Sequence, residues 1–279
     1  MAFLVYKEII TIGSFIFFVG SIPTFSNFIP NLFSNISEYK STQPALDEMN
    51  LNLKEDKNPV FNENIKEIQL QNLKIQFDKN QVFDNFNYTF SLGKKYAIVG
   101  PSGSGKSTLL KILLGLNLNY EGSVKINNKE IKDVNDDFLR NKITYLSNDF
   151  FLFKDSIVNN IAMDQQNQKE KLDHSLTLTN LKDELANKDL NDQNFDIENS
   201  LSLGQKQRVN LARMFFHNKD FILLDEALAN LDKNNIDVIL NNLLNDKTKT
   251  LIYVSHHLND EQKNKFDEVL DLKKIHLKN

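Results

Sequence analysis

Residues 100–108 read G-P-S-G-S-G-K-S-T, and this order of residue types suits one chemistry in particular. Consecutive backbone N–H groups in a glycine-rich turn can curl around an anion, and a helix starting directly after the turn adds the positive end of its dipole. Lys106 then supplies a charge able to reach β- and γ-phosphates, and the Ser107 hydroxyl can sit on a Mg²⁺ ion bridging them. Gly100, Pro101, Ser102, Gly103, Ser104, Gly105 and Thr108 make up the rest of the cradle. The competing explanation is a chance Gly/Ser-rich turn ahead of a helix.

Two further stretches carry chemistry. Asp225-Glu226 follows the apolar run 221–224, which puts two carboxylates at the end of a buried strand. Asp225 is placed to hold Mg²⁺ and Glu226 to polarise an attacking water, although an acidic N-cap for the next helix is the simpler use of such residues. Residues 250–258, T-L-I-Y-V-S-H-H-L, form a second apolar strand that ends in polar residues. His256 stands at that strand end, within reach of a γ-phosphate. His257, His174, His217 and His276 have no such setting and read as ordinary surface or core histidines.

These residues need a scaffold that brings strand ends to one edge. Residues 96–99 are apolar and strand-like, and Leu109, Leu110, Ile112, Leu113 and Leu114 repeat at helix spacing over 107–116, where Gly115 helps to stop the helix. Residues 143–146, 221–224 and 250–254 are buried-strand runs, and 203–216 and 233–244 read as helices. Strands alternating with helices predict a mostly parallel sheet covered on both faces, with ligands at its carboxyl edge. Ahead of the loop, Ile68 to Phe90 alternates as short antiparallel strands, and 123–131 carries an Asn127-Asn128 hairpin turn. Residues 150–199 are polar with a broken leucine stripe, and predict a small helical subdomain.

Composition narrows the classes. A formal net charge of -4 provides no general basic field for nucleic acid, and the absence of cysteine excludes disulfides and thiolate metal sites. Residues 9–37 contain no charged side chain, which exceeds the roughly 20 residues that span a bilayer. A buried or interfacial helix and a cleaved signal peptide are the other readings. Lys7 and Glu8 make a poor signal-peptide start, and no small-residue cleavage pattern follows. Residues 38–64 turn polar, with Pro44 and Pro59, and read as an extension and linker.

Residues 201–208, L-S-L-G-Q-K-Q-R, lie between the phosphate loop and the acidic strand. Together these segments resemble ATP-binding cassette (ABC) ATPases, whose usual signature is L-S-G-G-Q, over most of 65–272. The resemblance implies an α/β nucleotide-binding domain of phosphate-loop NTPase type over 65–279, with an antiparallel β subdomain and a helical subdomain. It implies ATP and Mg²⁺ as cofactors. Phe77 falls where the family stacks an aromatic ring on adenine. Asn148 falls where a glutamine usually reaches the nucleotide and its Mg²⁺. Ala229-Asn230-Leu231-Asp232 resembles the loop after the catalytic glutamate, and Ser255-His256 resembles the switch histidine. Asp196 or Glu198 stands for an exporter-type glutamate before the signature, and 266–277 resembles the final hairpin.

The resemblance also implies a head-to-tail dimer, homo- or heteromeric. In it Ser202, Gly204 and Gln205 of one chain would face the nucleotide of the other. Gly204 is kept as the more restrictive backbone position, while Leu203 replaces the first signature glycine. Residues 1–37 resemble the last membrane helix of an exporter, which implies a membrane partner supplying the remaining helices, a cell-membrane location with the ATPase domain on the cytoplasmic side, and export of an unidentified substrate. Split-gene subunit and truncated remnant are both open readings. The alternative class, a soluble ABC protein acting on nucleic acid or ribosomes, predicts paired nucleotide domains or basic arms that are not found here. A GTPase or kinase leaves the signature segment unexplained.

Overall fold

The computed structural model describes residues 63–77, 80–116, 119–163, 165, 168–256 and 258–273, with scattered residues between 11 and 23. The chain divides into two units, Met1–Asp56 and Lys57–Asn279. In the first, the described residues between 13 and 23 are helical, with Ile16, Phe17 and Val19 exposed. Most of the expected membrane segment and nearly all of the expected linker lie outside the described residues. Among the described residues no helix is long and apolar enough to cross a membrane.

The second unit holds two sheets. The larger runs β6-β7-β8-β3-β9, and all four of its strand pairs are parallel. Its members are β3 (Lys95–Val99), β6 (Ile143–Ser147), β7 (Phe221–Asp225), β8 (Thr250–Val254) and β9 (Glu268–Asp271). β7 and β8 are buried at every position, which is why they read as unbroken apolar runs instead of alternating ones. Parallel pairing sends every strand's carboxyl end to one edge. Asp225 ends its strand there, and residues 100, 226 and 255–256 follow strands that end there.

The smaller sheet, β2-β1-β4-β5, is antiparallel. It comprises β1 (Glu67–Phe77), β2 (Asn80–Ser91), β4 (Glu121–Ile126) and β5 (Lys129–Glu130), so the hairpin read from Asn127-Asn128 is present. β1 and β2 are longer than the short strands expected. Register shifts along their pairing, near Asn72 and Asn85 with left-handed backbones of φ 49° and 48°, bend the ribbon where the alternation falters. Between the sheets lies a cluster of aromatic rings in edge-to-face contact. The Tyr88 and Phe90 ring centroids are 4.8 Å apart, and those of Phe90 and Tyr96 are 4.9 Å apart.

The helices are α1 (Lys106–Leu113), α2 (Asp136–Lys142), α3 (Ile157–Ala162), α4 (Lys169–Leu178), α5 (Ile197–Ser200), α6 (Leu203–His217), α7 (Lys233–Asn245) and α8 (Asp260–Lys263). The broken leucine stripe resolves into a separate small core, where Ile157, Ile161, Leu176, Leu181 and Leu185 pack with Val209 and Phe216 of α6. This is the helical subdomain expected for 150–199.

At the C-terminal end, β9 pairs in parallel with β3, Tyr96 opposite Glu268, which extends the large sheet at 268–271. The rest of the expected final hairpin, residues 274–277, lies outside the described residues.

Phe90 is fully buried and makes edge-to-face contacts with Tyr88 of its own strand and Tyr96 of the large sheet. Phe90→Ala is expected to cost about 3–5 kcal/mol of stability, measured by urea denaturation of the chain.

Candidate functional site

The phosphate loop follows β3 and is shaped by its glycines. Gly105, the N-cap of α1, has φ 90°, and a Cβ there would lie 2.3 Å from Val82 Cγ1. Only glycine fits this close approach of loop and β2. Lys106 is buried, and its Nζ donates to the carbonyl oxygens of Gly100 (3.0 Å) and Pro101 (2.8 Å). Burial lowers the pKa of its ammonium below the usual lysine value, opposed by the nearby Glu226 and Asp225 charges. No side chain caps the start of α1, a helix N-terminus of the kind that binds anions. Ser107 is exposed in the first turn of this helix, and α1 packs against β7.

Asp225 ends β7, buried, and its Oδ2 accepts a hydrogen bond from the Tyr145 hydroxyl at 3.2 Å. Burial, and then the Asp225 charge, push the Tyr145 phenol up to about 12. Glu226 has a left-handed backbone, φ 55°, a conformation costing a non-glycine residue about 1–3 kcal/mol. Its N–H donates to Val254 O at 3.0 Å, and its own carbonyl accepts from Ala229 N–H at 3.0 Å. The turn thus formed brings Glu226 Oε1 to 2.8 Å from Nε2 of His256, at the end of the neighbouring strand. A carboxylate and an imidazole in contact beside a cationic loop can orient a water and polarise it toward an electrophile.

The donors at this edge are hard oxygens, the Ser107 hydroxyl and the Asp225 carboxylate. They fit Mg²⁺, which is commonly held by one or two carboxylates together with substrate phosphates. Asn148 lies at the same edge, with its N–H donating to Asp225 O at 3.2 Å. Its side-chain oxygen accepts from Asn230 Nδ2 at 2.6 Å, so it is tied to the 229–232 loop.

The signature residues form a second group. Ser202 is the N-cap of α6 in a capping box, with its Oγ accepting from Gln205 N–H (3.2 Å) while Ser202 N–H donates to Gln205 Oε1 (3.1 Å). The Gln205 amide also donates to Glu184 at 2.9 Å. Leu203 is exposed in the first turn. Gly204 lies in α6, outside the left-handed region, and an added Cβ would meet Asn230 O at an ordinary 3.5 Å, so among the described residues nothing crowds it. Asp232 caps α7, accepting from Asn235 N–H at 3.0 Å, and these bonds lower its carboxyl pKa. Asp196 caps α5, and Glu198 pairs with Lys206 at 3.2 Å.

The structure therefore gathers Lys106, Asp225, Glu226 and His256 at one edge. It joins Asn148 to Asn230, and it sets Ser202, Gly204 and Gln205 at the start of α6. Phe77 ends β1, but its side chain lies outside the described residues.

Two partners were missed in the sequence. Arg208, buried, grips Glu184 through two bonds of 2.7 and 2.8 Å and donates to Asn180 O at 2.6 Å. This anchors α6 to the helical subdomain. The Tyr145–Asp225 contact is the other. Neither pairing has a local periodicity to reveal it, since each joins residues from separate elements.

The sequence profile of the ABC transporter family matches residues 83–229. A probable ABC transporter ATP-binding/permease protein of Haemophilus influenzae is 30% identical over 241 residues, covering 85% of this chain and 44% of that protein. The Microcin-J25 export ATP-binding/permease protein McjD of Escherichia coli is 30% identical over 277 residues, covering 91% of this chain and 46% of McjD. The solved structure of a bacterial Atm1-family ABC exporter with ATP bound superimposes with a TM-score of 0.68 at 27% identity, over 77% of this chain and 39% of the other. The chain thus spans less than half the length of these relatives. With its phosphate loop, acidic strand end and capped signature helix on one α/β scaffold, the chain belongs to the ABC transporter family, and its second unit contains that family's ATP-binding domain.

Proposed function

We propose that this chain binds ATP with Mg²⁺ and hydrolyses it as one half of a head-to-tail dimer that powers export across the cell membrane. The observation that carries hydrolysis is the 2.8 Å contact between Glu226 and His256 beside the phosphate loop. Residues 100–108 enclose the phosphates, and Lys106 turns from its loop carbonyls toward the β- and γ-oxygens. Phe77 stacks on the adenine. Mg²⁺, when bound through Ser107 and Asp225 with Asn148 nearby, neutralises charge on those phosphates. Glu226 accepts a proton from the attacking water, and His256 holds Glu226 in place through its Nε2, at the strand end that faces the γ-phosphate. Ser202, Gly204 and Gln205 serve the nucleotide of the opposing domain, and Asp232 lies in the loop that lines the seam. The absence of crowding at Gly204 within its own chain fits a glycine kept for approach by something outside it. ATP thus favours the closed dimer, and hydrolysis removes that preference.

The domain reading is a membrane helix within 1–37, an extension over 38–64 and the nucleotide-binding domain over 65–279, the last on the cytoplasmic side. The match to McjD supports it. A match over 91% of the chain leaves out about 25 residues, fewer than the 56 of the first unit, so it runs well into that unit. The remaining membrane helices come from polypeptide outside this sequence, on the same or a partner chain. McjD and several further relatives carry export or transport in their names, which favours an exporter over a soluble protein acting on nucleic acid.

Glu226→Gln is expected to lower phosphate release by about 10²-fold or more while keeping ATP bound and trapping the dimer in size-exclusion chromatography. Unchanged turnover would place the base elsewhere. Lys106→Ala is expected to weaken binding of a fluorescent ATP analogue by about tenfold or more, and equal binding would remove the phosphate assignment. The chain is expected to stay in the membrane pellet after carbonate extraction, and its release would argue against a span in residues 1–37.

A further inference from the structure

We propose that Tyr145 is a positioning residue for the metal carboxylate, fixing one oxygen of Asp225 so that the other is presented to Mg²⁺. The proposal rests on the reading above, in which Asp225 holds that ion.

The geometry comes from the parallel pairing of β6 and β7. Tyr145 lies opposite Leu223, and Ser147 lies opposite Asp225. The Tyr145 side chain must therefore reach along the strand by two residues, about 7 Å at the rise of a β-strand. A diagonal neighbour at that distance is within range of an aromatic side chain. The phenol oxygen arrives 3.2 Å from Asp225 Oδ2, so a phenylalanine ring would end short of the carboxylate.

Asp225 needs such a partner. It is the last residue of its strand, where a carboxylate turns about two side-chain bonds, and a metal site demands one orientation. Asn148, the neighbouring polar side chain, is engaged by Asn230 at 2.6 Å and meets Asp225 only through backbone atoms. The Tyr145 hydroxyl has a single hydrogen to donate, and it goes to Oδ2. Oδ1 is left as the oxygen for the ion. Loss of a residue that orients a metal ligand in this way typically costs about 10–100-fold in metal affinity.

The test compares the full chain with Tyr145→Phe, using a fluorescent non-hydrolysable ATP analogue in excess Mg²⁺ and again in EDTA. The readout is the factor by which Mg²⁺ tightens nucleotide binding. Tyr145→Phe is expected to reduce that factor by about tenfold with affinity in EDTA unchanged. In an Asp225→Asn background, where no metal carboxylate remains to be oriented, the same substitution is expected to add nothing. An unchanged Mg²⁺ factor overturns the proposal. So does a loss of affinity in EDTA, which would make Tyr145 structural, or an undiminished effect on top of Asp225→Asn. A wild-type chain whose binding ignores Mg²⁺ refutes the metal role of Asp225 itself, and this proposal with it.

Discussion

The buried ammonium of Lys106, facing the Asp225 and Glu226 charges at one sheet edge, is the constraint on which the rest of this domain turns. Burying a charge is costly unless partners compensate it, and here the compensation is divided. Two loop carbonyls accept its hydrogens, while the carboxylates oppose the effect of burial from the end of β7, two strands away. The arrangement requires β3, β7 and β8 to end together, which only parallel pairing achieves, and it requires helices over both faces to keep those strands dry. Fold and chemistry here are one electrostatic requirement met at two scales.

The strained backbone of Glu226 follows from the same requirement. A residue continuing straight out of β7 would carry its side chain past the edge. The left-handed turn, secured by the Val254 carbonyl and by Ala229, folds it back toward His256. Strain at this residue therefore has a local explanation in the contact it makes. The 227–232 loop that leaves the turn bonds Asn148 through Asn230, whose carbonyl oxygen would be 3.5 Å from a Cβ added at Gly204, so one short connector lies beside both groups of candidate residues.

The legible parts of the sequence were those governed by near neighbours. The phosphate loop was readable because glycine spacing, lysine and hydroxyl sit within nine residues, and β7 and β8 because sheets covered on both faces leave unbroken apolar runs. The capping box at Ser202 and Gln205 is likewise local. Bulges at Asn72 and Asn85 hid the true length of β1 and β2, because each bulge shifts the alternation that marks a strand. The Glu184–Arg208 and Tyr145–Asp225 contacts were out of reach, since they depend on which elements pack together. The parallel attachment of β9 to β3 was missed for the same reason: a short run of four residues does not declare its partner.

The cap on α6 has a chemical consequence of its own. Ser202 uses its hydroxyl oxygen as an acceptor toward Gln205, and a serine hydroxyl keeps its single hydrogen when it accepts. In the proposed dimer, helix capping and phosphate recognition would thus draw on opposite halves of one O–H group, so both could operate together. Aspartate or asparagine would cap equally well, but aspartate would present negative charge to an arriving phosphate, and asparagine would need its amide to serve both purposes from two different atoms. Threonine is the replacement that retains both halves, so the choice of residue here separates the demands of folding from those of phosphate recognition.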